Sequence, residues 1–91
     1  MQDKEKKILL FKKAVGEVIR ELRQEFPKVS MSRLAMEYDI DKGSLSRLER
    51  GLMECYVSTL WKIAEATGVK FSEIAQRIEE KLGSEFKFMD E

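Results

Sequence analysis

The sequence predicts an all-α fold of five helices in one domain. Three observations predict it. Apolar residues recur at helical spacing in segment after segment, strand-like alternation is confined to Phe86-Lys87-Phe88, and one proline with five glycines leaves only short joints between helices. A chain of 91 residues suits a single core, with residues 1–83 as the domain and 84–91 as a flexible tail.

The first helix is expected to begin near Lys4. Ile8, Phe11, Val15, Val18 and Leu22 alternate spacings of three and four, and Ile19 widens the stripe. Two heptads are too few for a coiled coil, so this face is expected to pack on its own domain. Pro27 disfavours helical geometry at Phe26 and ends the segment. A short second helix follows, with Ser30 as N-cap and Leu34, Ala35 and Tyr38 facing inward.

Asp39-Ile40 breaks that pattern, and Asp41 caps a third helix in which Leu45 and Leu48 point inward and Gly51 is a left-handed stop. The fourth helix carries Leu60, Ile63, Ala64 and Thr67 and stops at Gly68. The fifth carries Ile74, Ala75, Ile78 and Leu82 and stops at Gly83. Tyr56 and Lys70 are poor caps for these two, leaving Ser58 and Ser72 to serve.

Composition excludes several functions. The chain has no histidine, hence neither the usual general base near neutral pH nor the commonest metal ligand. There is no glycine-rich phosphate loop, metal-ligand cluster or supported nucleophile, so neither an enzyme nor a cofactor or metal is expected. The single Cys55 cannot form an internal disulfide and suits a reducing compartment, the cytoplasm. The longest purely apolar run is Ile8 to Phe11, far short of a signal-peptide core or a membrane span.

Seventeen basic residues balance seventeen acidic ones, but unevenly along the chain. Residues 1–28 hold eight basic and five acidic residues, residues 29–51 four of each, and residues 52–91 five basic and eight acidic. Such a molecule can present one basic face to a polyanion despite zero net charge.

The informative segment is Ser30 to Gly51, SMSRLAMEYDIDKGSLSRLERG. Two short helices joined by a tight turn, each with one apolar stripe, make a helix-turn-helix unit whose second helix offers its outer face to a DNA major groove. Leu34-Ala35, Ile40-Asp41 at the turn and Leu45-Ser46-Arg47-Leu48-Glu49-Arg50-Gly51 resemble the phage repressor and Cro family, also called the XRE family. Downstream, Ser58-Thr59-Leu60, Lys62-Ile63-Ala64 and Thr67-Gly68-Val69 are similar to that family's fourth helix and its exit. The resemblance spans roughly Leu22 to Ile74 and implies a five-helix lambda-repressor-like domain with the helix-turn-helix as helices two and three.

The resemblance implies roles position by position. Lys42, Gly43, Ser44 and Arg47 fall at the family's groove-facing, base-reading places. Arg47 is the main reader, because a guanidinium fork can bond O6 and N7 of guanine together. Ser30, Met31, Ser32 and Arg33 fall at the start of the first short helix, where free N–H groups hold a phosphate, and Ser46 and Arg50 are further phosphate candidates. The family usually has glutamine at the place of Met31, whose side chain cannot donate that bond. Arg23 and Glu49 fall where relatives carry a structural salt bridge. Taken apart from the resemblance, Lys42 and Arg47 also read as ordinary solvent-facing helix residues.

What the resemblance implies overall is a sequence-specific DNA-binding regulator. It would be a repressor that binds double-stranded DNA at a two-fold operator as a homodimer, with no membrane role and no small-molecule effector. Trp61, Phe71 and Ile78 are the expected dimer contact. The chain departs from the family after Gly51, where Leu52-Met53-Glu54-Cys55 is apolar and acidic instead of basic. That departure, with Tyr56, Trp61, Phe86 and Phe88, sustains an alternative: a protein-interaction module that keeps the fold but has little DNA affinity.

Overall fold

The computed structural model describes residues 3–89. Five helices follow one another: α1 (Asp3–Glu25), α2 (Met31–Tyr38), α3 (Lys42–Glu49), α4 (Val57–Thr67) and α5 (Phe71–Leu82), with no strand among the described residues. The fold is all-α, as the periodicity predicts. Asp90 and Glu91, the end of the expected tail, lie outside the described residues.

The long α1 is the mast on which the rest is hung. From Val15 onward its predicted stripe becomes the centre of the core, where Val18, Ile19 and Leu22 are fully buried with Leu34, Leu45, Ile63 and Ile74. Ile8, at the start of the stripe, is exposed because α1 there extends past the rest of the domain's core. Each such side chain contributes about 1.5–3 kcal/mol relative to its exposed state. Pro27 stops α1 as expected. The chain turns through Phe26, whose N–H bonds Leu22 O at 2.9 Å, and through Val29, whose N–H bonds Phe26 O at 2.9 Å.

α5 runs antiparallel to α1, because Arg77 pairs with Glu25 while Lys81, one turn later, pairs with Glu21 and Glu17. These ion pairs join residues more than 50 positions apart and clamp the edge of the α1–α5 seam. Where the seam continues past α5, Phe86 and Phe88 of the expected tail are laid against Phe11, with ring centroids 6.3 and 5.7 Å away.

The caps of the two short helices are those the sequence predicts. Ser30 Oγ accepts from Arg33 N at 3.1 Å, and Asp41 Oδ2 accepts from Ser44 N at 2.8 Å. Between them the chain reverses at Asp39, which adopts left-handed backbone with φ 55°. Aspartate tolerates that region better than a branched residue would. The caps of α4 and α5 are a correction. Tyr56 and Lys70 are the N-caps and make no side-chain cap bond, and Ser58 and Ser72 lie exposed one residue inside their helices rather than capping them.

Candidate nucleic-acid interface

α3 is held from behind at three places. Leu45 and Leu48 are buried. Gly16 of α1 lets the end of α3 come down on it, since a Cβ there would stand 2.3 Å from Leu48 O and 2.8 Å from Glu49 O. Arg23 closes the contact: its Nη2 donates to Glu49 Oε1 at 2.7 Å and its Nε to Glu49 Oε2. The Glu49 side chain retains 7% exposure, and its carboxylate keeps the Arg23 guanidinium firmly charged. After α3, Gly51 takes φ 72° against the Lys13 backbone, where a Cβ would stand 3.0 Å from Lys13 Cα. Gly16 and Lys13 are contributors that sequence periodicity could not reveal, because nothing local marks a close approach between helices.

With its back fixed, α3 exposes Lys42, Gly43 and Arg47, and its C-cap Arg50 is exposed too, with Ser44 and Ser46 half-buried beside them. Lys42 Nζ donates to Ser32 Oγ at 3.0 Å, which brings the starts of α2 and α3 together. Arg47 Nη2 donates to Ser44 Oγ at 3.3 Å and lies 4.0 Å from Asp41 Oδ2. Asp41 is held below its ordinary pKa, chiefly by the Ser44 N–H it caps, so it stays an anion at the foot of α3. Arg50 Nε donates to Ser46 O at 3.3 Å, along the same helix face.

The residues expected to hold phosphate do not all share one setting. Ser30 and Ser32 are exposed at the start of α2. Arg33 is drawn along its helix to Glu37, with Nε 2.8 Å from Oε2. The Met31 side chain packs against the core, so only its backbone N–H can serve an anion there.

The apolar residues after α3 divide instead of forming one surface. Met53 packs against the core, while Leu52 and Tyr56 are exposed. Trp61 is 58% exposed and its ring centroid lies 5.5 Å from that of Phe71, beside an open hollow of about 680 Å³ also lined by Ala64 and Val69. Ile78 corrects the expected dimer contact. It is 7% exposed and belongs to the monomer core, because the α5 stripe is used up against α1 and α4.

Among the described residues no group of three or more histidine, cysteine, aspartate or glutamate side chains could hold a metal ion. No helix among the described residues is long and apolar enough to cross a membrane.

Comparison with known proteins agrees with this geometry. The profile of the helix-turn-helix family HTH_3 matches residues 19–74. The chain is similar to the crystal structure of the clp gene regulator ClgR from C. glutamicum, with TM-score 0.70, 24% identity, and 82% of this chain and 96% of that one covered. It is also similar to an HTH_3 family transcriptional regulator from Vibrio cholerae, with TM-score 0.67 and 28% identity, covering 89% of this chain but 45% of that one. No curated protein matches the sequence. The match over residues 19–74, which holds all of α2, α3 and α4, decides the matter: the chain belongs to the helix-turn-helix family of the phage repressor and Cro (XRE) type, a family of DNA-binding regulators.

Proposed function

We propose that the chain is a sequence-specific repressor that binds a two-fold operator as a homodimer in the cytoplasm and acts by occupancy. The observation that carries this reading is the outer face of α3. Lys42, Ser44 and Arg47 lie along one helix, with Arg50 at its C-cap, and the inner face of that helix is locked to α1 by Leu45, Leu48 and the Arg23–Glu49 pair. A rigid helix with a basic outer stripe suits the major groove. Backbone amides at the start of α2, with Ser30 and Ser32, fix the register on phosphate, Ser46 and Arg50 add phosphate contacts, and Arg47 reads guanine. The exposed Trp61 beside Phe71 supplies the apolar face between two copies.

One observation favours a second reading. Leu52, at 59% exposure, and Tyr56, at 77%, flank the acidic Glu54 next to α3, a poor surface to bring toward phosphate. That surface suits a protein-interaction module. Selection from randomised duplex DNA at near-physiological salt, repeated with Arg47→Ala, separates the two. Enrichment of a two-fold motif that degrades with the variant supports the repressor. Absence of enrichment, with only weak salt-sensitive binding, supports the module.

A further inference from the structure

We infer that Asp41 is a positioning residue for Arg47, whose fork lies beside it over the side-chain-free Gly43. Arg47 sits one turn after Gly43 on the same helix face, and a long helical side chain leans toward the N-terminus. Here that lean carries the guanidinium over residue 43. A Cβ on Gly43 would stand 3.4 Å from Arg47 Nη1, 3.9 Å from Nη2 and 3.2 Å from Asp41 Oδ2. A Cβ there would touch the fork only at ordinary contact distance and would crowd Asp41 Oδ2, so the fork passes over position 43 toward Asp41 with no side chain between them.

Two groups define the fork's place. Ser44 Oγ accepts from Nη2 at 3.3 Å, and Asp41 Oδ2 stands 4.0 Å from the same nitrogen. That Asp41 oxygen also accepts from Ser44 N at 2.8 Å, so one carboxylate both starts α3 and draws the fork toward that start. An arginine ordered before binding loses less freedom on contact, and Arg47 is held toward the N-terminal end of the helix, the part that meets base edges in this motif. The expected target is a guanine edge opposite the start of α3, addressed by one residue in place of two.

This inference rests on the proposed reading role of Arg47, and one experiment separates their failures. Binding of a selected operator and of its guanine-to-adenine variants is measured by fluorescence anisotropy for the wild type, Arg47→Ala and Asp41→Asn, with thermal melting alongside. Asparagine caps a helix as well as aspartate, so this variant should stay folded at the assay temperature. Arg47→Ala should erase discrimination at one guanine. Asp41→Asn should reduce it there about three- to tenfold, within the span one bidentate contact supplies, without weakening non-specific binding. If Asp41→Asn keeps wild-type discrimination within about twofold while Arg47→Ala loses it, the positioning role is overturned and the Arg47 role stands. If Arg47→Ala discriminates like the wild type, or the wild type discriminates nowhere, both are overturned.

Discussion

Arg23 and Glu49 stand 26 residues apart in sequence and are joined by two side-chain hydrogen bonds, one from Arg23 Nη2 to Glu49 Oε1 at 2.7 Å. The pair ties the late part of α1 to the last residue of α3. Its halves are unequally placed, with 25% of the Arg23 side chain exposed and 7% of the Glu49 side chain. An arginine left alone can swing its head to water, whereas a carboxylate left alone stays desolvated. Arg23→Ala should therefore cost about 2–3 kcal/mol and Glu49→Ala about 1–2 kcal/mol, below the cost for fully buried pairs because water reaches this one. Urea denaturation of both variants checks the order, and the reverse order would refute it.

Gly16→Ala should destabilise the protein although alanine is the better helix former. The added Cβ meets Leu48 O at 2.3 Å and Glu49 O at 2.8 Å, both backbone atoms that cannot rotate away. Overpacking of this kind costs about 1–3 kcal/mol, against a propensity gain of at most about 1 kcal/mol. A net loss of about 1–2 kcal/mol in urea is expected, together with weaker operator binding as the end of α3 lifts off α1. An unchanged or higher denaturation midpoint would show that the helices can separate freely.

The contrast between these two positions marks what was legible in the sequence. Helix order, the Ser30 and Asp41 caps and the inward leucines of α3 follow from local rules, because spacing and capping act within a turn or two. The Arg23–Glu49 pair came only through family resemblance, since no local rule joins residues 26 apart. Gly16 was not legible, nor were the Arg77–Glu25 and Lys81–Glu21 clamps, because each depends on how α1 meets another helix. Ile78 misled for the same reason. Its stripe on α5 marks it as apolar but does not say whether its own core or a second copy covers it.

The α1–α5 clamp should give a specific pH response. Two hydrogen bonds from Arg77, at 2.7 and 3.1 Å, hold the Glu25 carboxyl below its ordinary value of 4.5. A carboxylate depressed in the folded state stabilises above its unfolded pKa, and that stability is lost as pH falls through the folded pKa. Glu25→Gln should melt earlier than the wild type at neutral pH and low salt, and the gap should close as pH falls below the ordinary glutamate range and through the depressed pKa of the folded state. The gap should also shrink with salt, because the pair is exposed. A gap independent of pH would mean that the charge of Glu25 contributes nothing.

Cys55 should be a slow thiol. Burial pushes its pKa from 9.0 up to about 11, and its Sγ lies 3.5 Å from Tyr56 O. Thiolate is then scarcer by about a hundredfold, and the higher intrinsic nucleophilicity of a basic thiolate offsets roughly half of that on a logarithmic scale. Modification by a disulfide reagent at mildly alkaline pH should run about tenfold slower than for a free thiol. Reaction at the free-thiol rate would place Cys55 in open solvent.

Trp61 and Ile78 should separate dimerisation from folding. Trp61 is 58% exposed and touches Phe71 at the edge of an open hollow, whereas Ile78 is 7% exposed within the core. Trp61→Glu removes an apolar ring and adds a charge where a second copy would sit, so it should halve the sedimenting mass and abolish cooperative binding to two half-sites. Its melting, measured where the wild type is monomeric, should stay close to wild type. Ile78→Ala should do the opposite, costing about 2–4 kcal/mol in the monomer through the cavity it leaves. Phe71 lies between these cases, because its ring is half-buried against the core while facing Trp61. Phe71→Ala should therefore weaken both association and folding. If Trp61→Glu leaves a dimer intact, the two-fold contact lies elsewhere and the hollow beside Trp61 plays no part in spacing the two α3 helices.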